Sequence, residues 1–211
     1  MRDPWAWPAW EYAASDGTFG NRWDDPEGVY RVLYAGSSLH GCFVEVLSRF
    51  RKRPAFIAGL EAISGSPDAI PPGAVPRDWL NGRAIGEAAP AAGMFADLRE
   101  SASLTHLHES LAARLVHYRI PELDAAAIRQ SAPRKFTQEV SSYVYRQTDN
   151  DGNPLFVGIA YRSRFGDEFT NWAIFERPDR AAISSPATRP ITADDPDFQA
   201  ALKTLGLALQ P

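Results

Sequence analysis

The stretch Gly20–Arg51, GNRWDDPEGVYRVLYAGSSLHGCFVEVLSRFR, sets three local signals in a row. Gly20, Asp24, Asp25, Pro26 and Gly28 mark a loop, because Gly and Pro punctuate regular structure and Asp bonds its own turn. The run VYRVLYA over 29–35 is rich in β-branched and aromatic residues and reads as a strand closed by Gly36. Ser38 suits the cap of a helix in which Leu39, Cys42, Phe43, Val46 and Phe50 recur at helical spacing, with Pro54 ending it. This short turn–strand–helix is expected to bring Arg22, Tyr34 and Glu45 close together. A cation, an aromatic hydroxyl and a carboxylate suit gripping a nucleotide and stabilising positive charge on a sugar.

Outward from this block the same mixture continues. Residues 1–19 form an arm carrying Trp5, Trp7, Trp10, Tyr12 and Phe19, expected to pack across the body of the domain. The segment 54–92 holds many of the prolines and glycines and reads as one short strand, long connections and a candidate lid. The spacing predicts a helix near 103–114, a strand at 115–120 (LVHYRI) and a helix from Thr137 to Gln147 with Val140, Tyr143 and Val144 inward. After a tight turn at Asp149–Pro154, LFVGIAYR (155–162) and NWAIFE (171–176) read as paired strands. Asp195-Pro196 starts a last helix in cap-then-Pro order, with Gly206 at its end. Strands interrupted by isolated helices point to an α+β domain.

With 211 residues, 45% apolar and 23% charged, the chain has room for one substantial core. A net charge of −4 argues against a nucleic-acid partner, since nothing neutralises a phosphate backbone wholesale. Lys occurs only at 52, 135 and 203, so nearly all basic residues are Arg, a bias that genome composition explains as well as phosphate binding does. A single cysteine, Cys42, excludes an internal disulfide. The start lacks a signal peptide and no window has the length of a membrane span, so the expectation is a cytoplasmic protein without membrane contact.

Each candidate residue has a plain alternative. Glu45 has Gly41 and Ser48 one turn away, small residues that would leave room for a ligand. Its commoner fate on pattern alone is a solvated pair with Arg49. Arg22 in its glycine-flanked turn can offer its fork of donors to a pyrophosphate, or simply pair with Asp24 or Asp25. Tyr34 can stack on a ring, donate a hydrogen bond, or fill core. Ser163, between Arg162 and Arg164 in YRSRFGDEFTN, suits an anionic ligand, but a hairpin turn with solvated Arg has the same sequence; Asp167 and Asn171 are weaker candidates. His106 and His108 would share one face of a strand, with Glu109 or Asp97 as a third ligand, yet no HExxH motif or Cys pair supports a site, so no metal is expected. The Gly-rich phosphate signatures are absent as well.

In this order, GNRWDDP, YRVLYAGSS, CFVEVLSRF and later GIAYRSRFGDEFTNWAIFE, the chain resembles the RES domain family, named for its Arg, Glu and Ser residues. The resemblance covers 17–180, as a catalytic domain between the 1–19 arm and a tail at 181–211, with 54–92 as an insert. It implies a compact single α+β domain with a split antiparallel sheet and peripheral helices, similar to ADP-ribosyltransferases. It places Arg22, Tyr34 and Glu45 at catalytic positions and Ser163 in NAD binding; beside the resemblance, Arg162 or Arg164 is expected to supplement phosphate binding. The implied function is cleavage of the nicotinamide–ribose bond of NAD, as a phosphorylase using inorganic phosphate or as a glycohydrolase, in a bacterial toxin. A protein ADP-ribosyltransferase and a non-catalytic NAD- or partner-binding module are the rival readings. An antitoxin or immunity protein is the implied partner, and oligomeric state is left open.

Overall fold

A computed structural model describes residues 3–51, 73–90, 92–130, 133–178 and 182–211. They form two compact units that interleave along the chain: 5–36 with 88–186 make one, and 3–4, 37–87 and 187–211, as far as described, make the other. Both mix helix and strand, so the architecture is α+β. Residues 54–72 and 91 of the proline-rich insert, and with them that part of the expected lid, lie outside the described residues.

The first unit is built on a four-stranded sheet whose neighbours, in order across it, are Val32–Gly36, Thr170–Phe175, Phe156–Arg162 and Met94–Asp97. Strand β1 is Val32–Gly36, β4 Met94–Asp97, β5 Phe156–Arg162 and β6 Thr170–Phe175. β6 runs antiparallel to both β1 and β5, whereas β4 lies parallel to β5, so the sheet is mixed. β5 is buried on both faces, which is why FVGIAYR is nearly continuous in apolar residues rather than alternating. Its Gly158 is required by close approach: a Cβ there would sit 2.3 Å from the Ala173 carbonyl oxygen.

Helices cover one face of this sheet. Helices α2 (Ser101–Ser110), α3 (Ala112–Tyr118), α4 (Ala125–Gln130) and α5 (Arg134–Tyr145) follow β4 in sequence. α5 packs on β5 and buries Phe136, Val140 and Val144, four residues apart on one stripe. Each such side chain contributes about 1.5–3 kcal/mol by leaving water. The expected strand at 115–120 is a correction: these residues continue a helix to Tyr118. Leu107, Leu111 and Leu115 recur every fourth residue into the core, and Arg119 closes the helix in the left-handed conformation at φ 56°. The β-branched residue that suggested a strand, Val116, is 79% exposed.

From Trp5 onward the aromatic arm belongs to the same unit. Arg31 lies over the Trp10 ring at 5.5 Å, donates to the Pro8 carbonyl oxygen and forms a two-pronged ion pair with Glu176. Trp10 in turn meets Phe19 at 5.4 Å. The arm is thereby tied to the ends of β1 and β6.

In the second unit α1 (Leu39–Leu47) packs on α6 (Pro196–Leu205). Phe43 and Phe198 meet edge to face at 5.4 Å, and Trp79 stacks on Phe198. α1 is shorter than expected: it gives way to a 3-10 turn at Ser48–Phe50. Its buried face is Gly41, Phe43, Val44 and Leu47, while Val46 is 48% exposed, a rotation set by where Phe198 lies. α6 starts and stops as its sequence predicts, with Asp195 capping two amides, Pro196 at the first position and Gly206 left-handed at φ 64°. β2 (Ala74–Val75) pairs in parallel with β8 (Ala208–Leu209). A further two-stranded sheet joins β3 (Ala84–Pro90) and β7 (Ile183–Pro190).

Candidate active site

Strand pairing brings the candidates of the first unit to one end of the sheet. Gly36 on β1 opposes Asn171 on β6, which opposes Tyr161 on β5. One pleat inward, Tyr34, Ala173 and Ile159 occupy the same face, because side chains two residues apart share a face. Arg162 and Ser163 leave β5 at this end, and Trp23 meets Tyr161 at 5.2 Å between ring centroids.

Arg22 is presented by a loop whose flanking peptide groups are all hydrogen-bonded. The Asn21 amide donates to Asp24 Oδ2 at 2.7 Å, and the Asn21 carbonyl accepts from Gln138 Nε2 at 3.1 Å. The Trp23 amide donates to the Tyr34 hydroxyl at 3.0 Å, and the Trp23 carbonyl accepts from Ser141 Oγ at 2.6 Å. Since Ser141 has spent its only hydrogen on Trp23, the 2.8 Å contact with Tyr30 has the Tyr30 hydroxyl as donor. Trp23 itself is fully buried and anchors the loop in the core. The guanidinium reaches out from this frame, donating to the Arg129 carbonyl oxygen at 2.9 Å and lying 5.6 Å over the Tyr161 ring.

Tyr34 is divided between two environments. The residue is 39% exposed, yet its hydroxyl accepts from Trp23 and donates to Asp24 Oδ1 at 2.8 Å, both buried residues. Burial of that tip, then the Asp24 charge, raises the phenol well above its ordinary pKa. The hydroxyl is a fixed structural peg, and the rest of the side chain is the part left exposed.

Ser163 is 1% exposed; its Oγ accepts from the Phe165 amide at 3.0 Å and its amide donates to the Phe169 carbonyl, so it shapes the β5–β6 turn. Arg162 donates to the Asp167 carbonyl at 2.8 Å, and the Asp167 carboxylate pairs with Arg129. Arg22, Arg129 and Arg162 are therefore joined through Asp167 and one backbone carbonyl. On the β4 side, Arg99 holds Asp97, whose carboxyl is kept below the usual carboxylate range, and donates to Thr170.

Glu45 belongs to the other unit, half-buried on α1, where Ser38 caps the helix and the Glu45 carbonyl accepts from Ser48 Oγ. Arg49, its expected surface partner, lies over the Phe50 ring at 5.1 Å. The same unit carries an open groove of about 610 Å³ between Arg77–Arg83 and Pro190–Ala193, and none of the predicted site residues lines it. His106 and His108 lie on α2 rather than on a strand, so a two-residue spacing turns them apart; His106 meets the Tyr143 hydroxyl and His108 the Leu123 amide.

The sequence alone does not single out Asp24, Arg129, Gln138 or Ser141 as site residues. Arg129 and the two α5 residues reach Arg22 or its neighbours across more than a hundred positions. A local signal does exist for α5: Gln138 and Ser141 sit among its buried residues, and buried polar groups demand partners.

A family model described as RES domain matches residues 1–199, so the match takes in the aromatic arm as well as both motif blocks. No curated protein and no solved structure matches the chain.

Proposed function

From the RES domain family, to which this chain belongs and which is associated with toxins acting on NAD, we propose that it cleaves the nicotinamide–ribose bond of NAD. The observation that supports this reading is the loop of Arg22: four hydrogen bonds fix the peptide groups on either side of it, one of them to the hydroxyl of the partly exposed Tyr34. A planar, preset fork of donors is the group that binds a diphosphate in two-pronged fashion.

In this reading Arg22 takes the pyrophosphate or, in phosphorolysis, the attacking phosphate. Arg162 supplements it and Ser163 bonds the ligand. Tyr34 packs its ring on the nicotinamide–ribose end, since its hydroxyl hydrogen is committed to Asp24. Glu45 supplies the carboxylate that stabilises positive charge on the ribose. The bond between ribose C1′ and the pyridinium nitrogen breaks with its electron pair going to nitrogen. Neutral nicotinamide therefore leaves without a proton donor. C1′ then accepts a lone pair from water, which releases a proton, or from a phosphate oxygen.

Incubation with NAD, with and without inorganic phosphate, tests the reading. ADP-ribose identifies hydrolysis, ADP-ribose-1″-phosphate identifies phosphorolysis, and label retained on protein identifies a transferase. Binding of NAD without nicotinamide release identifies a non-catalytic module, and an inhibitory antitoxin would be sought by its block of release.

A further inference from the structure

We propose that Asp24 is a positioning residue for this site, acting through Arg22 and Tyr34 rather than on the substrate; the inference rests on the NAD reading above. Asp24 is 3% exposed, and each of its oxygens takes a different donor. Oδ2 accepts from the Asn21 amide, three residues back, which closes the turn around Arg22. Oδ1 accepts from the Tyr34 hydroxyl on β1. A residue that only closed a turn would need the first bond alone. The second ties the turn to the sheet.

The direction of each bond follows from the hydrogens available. The Tyr34 oxygen accepts from the Trp23 amide, so its own hydrogen is free to go to Asp24. A carboxylate is the side chain that accepts from two donors at once with charge assistance, and an amide cannot do so with both oxygen positions. Asp24 thereby fixes the amides on both sides of Arg22, one directly and one through Tyr34, and orients the Tyr34 ring in the same step.

The substitution Asp24→Asn tests this at constant shape. Hydrogen exchange of the Asn21 and Trp23 amides should accelerate about tenfold or more, while Val29, bonded to Asp25, stays unchanged. The KM for NAD and the Kd for inorganic pyrophosphate should each rise about tenfold, with kcat less affected. Adding Arg22→Ala to Asp24→Asn should cost less than Arg22→Ala costs in the parent, because both remove one interaction. Unaltered exchange at both amides, or fully additive losses, would overturn the assignment. Where Asp24→Asn does not fold, Asp24→Glu, which keeps both oxygens but shifts them, carries the same measurements. A parent protein that releases no nicotinamide refutes the NAD reading instead, and the exchange and pyrophosphate measurements still decide the role of Asp24.

Discussion

The Tyr34 hydroxyl donates to Asp24 Oδ1 at 2.8 Å while accepting from the Trp23 amide, so one phenol joins β1 to the loop that carries Arg22. Tyr34→Phe leaves a buried amide and a buried carboxylate oxygen short of a partner, at about 1–3 kcal/mol of stability. It keeps the ring. Tyr34→Ala loses both, so kcat/KM for NAD should fall in the order parent, Phe, Ala. Equal losses in the two variants would contradict a role for the ring.

Ser141 supports the loop from beneath. Ser141→Ala removes the donor to the Trp23 carbonyl and the acceptor for Tyr30, all within the core. Denaturant unfolding should show a loss of about 1–3 kcal/mol. A change within the error of the extrapolation would mean that the network contributes nothing.

Asp25 should behave in the opposite sense to a stabilising acid. Burial raises its pKa, and its Oδ1 has no hydrogen-bond partner among the described residues. The folded state therefore binds its proton more tightly than the unfolded chain. The unfavourable contribution is absent below the ordinary Asp range and grows as pH rises through the raised value. Asp25→Asn, whose carbonyl can still accept from Val29, should leave Tm at neutral pH equal or higher. A large drop would show that the charge itself is needed.

Asp195 gives the contrasting case. Burial pushes its carboxyl up, but Arg189 and the α6 amides outweigh this and hold it below the ordinary value. Its stabilisation is present above the unfolded pKa and lost as pH falls through the lowered folded one. Asp195→Ala should cost about 1–2 kcal/mol near neutral pH. Thermal melts should show the gap closing in acid; a gap independent of pH would contradict the ion pair.

What was legible in the sequence was local. The cap, proline and glycine around α6 specify its ends because each acts within a turn of itself. The paired strands β5 and β6 follow from their β-branched and aromatic runs. The 115–120 stretch misled because Leu115, Val116 and Tyr118 suit either period, and only Leu107 and Leu111 before them carry the helical one. In α1 the apolar residues cover more than one face, and the choice among them is made by Phe198, more than 150 positions away. The site divides likewise. Arg22 in a turn was readable, whereas the bonds to Asp24, Gln138 and Ser141 that set it required the fold.

The proposed turnover of NAD depends on Glu45 stabilising charge on the ribose. The most direct test is nicotinamide release from NAD by the parent and by Glu45→Gln, with matched melting temperatures. The predicted result is release by the parent and a loss of roughly 3 kcal/mol of transition-state stabilisation in the variant, about a hundredfold or more in rate. Release at the parental rate by Glu45→Gln, or none from a folded parent at saturating NAD, would contradict it.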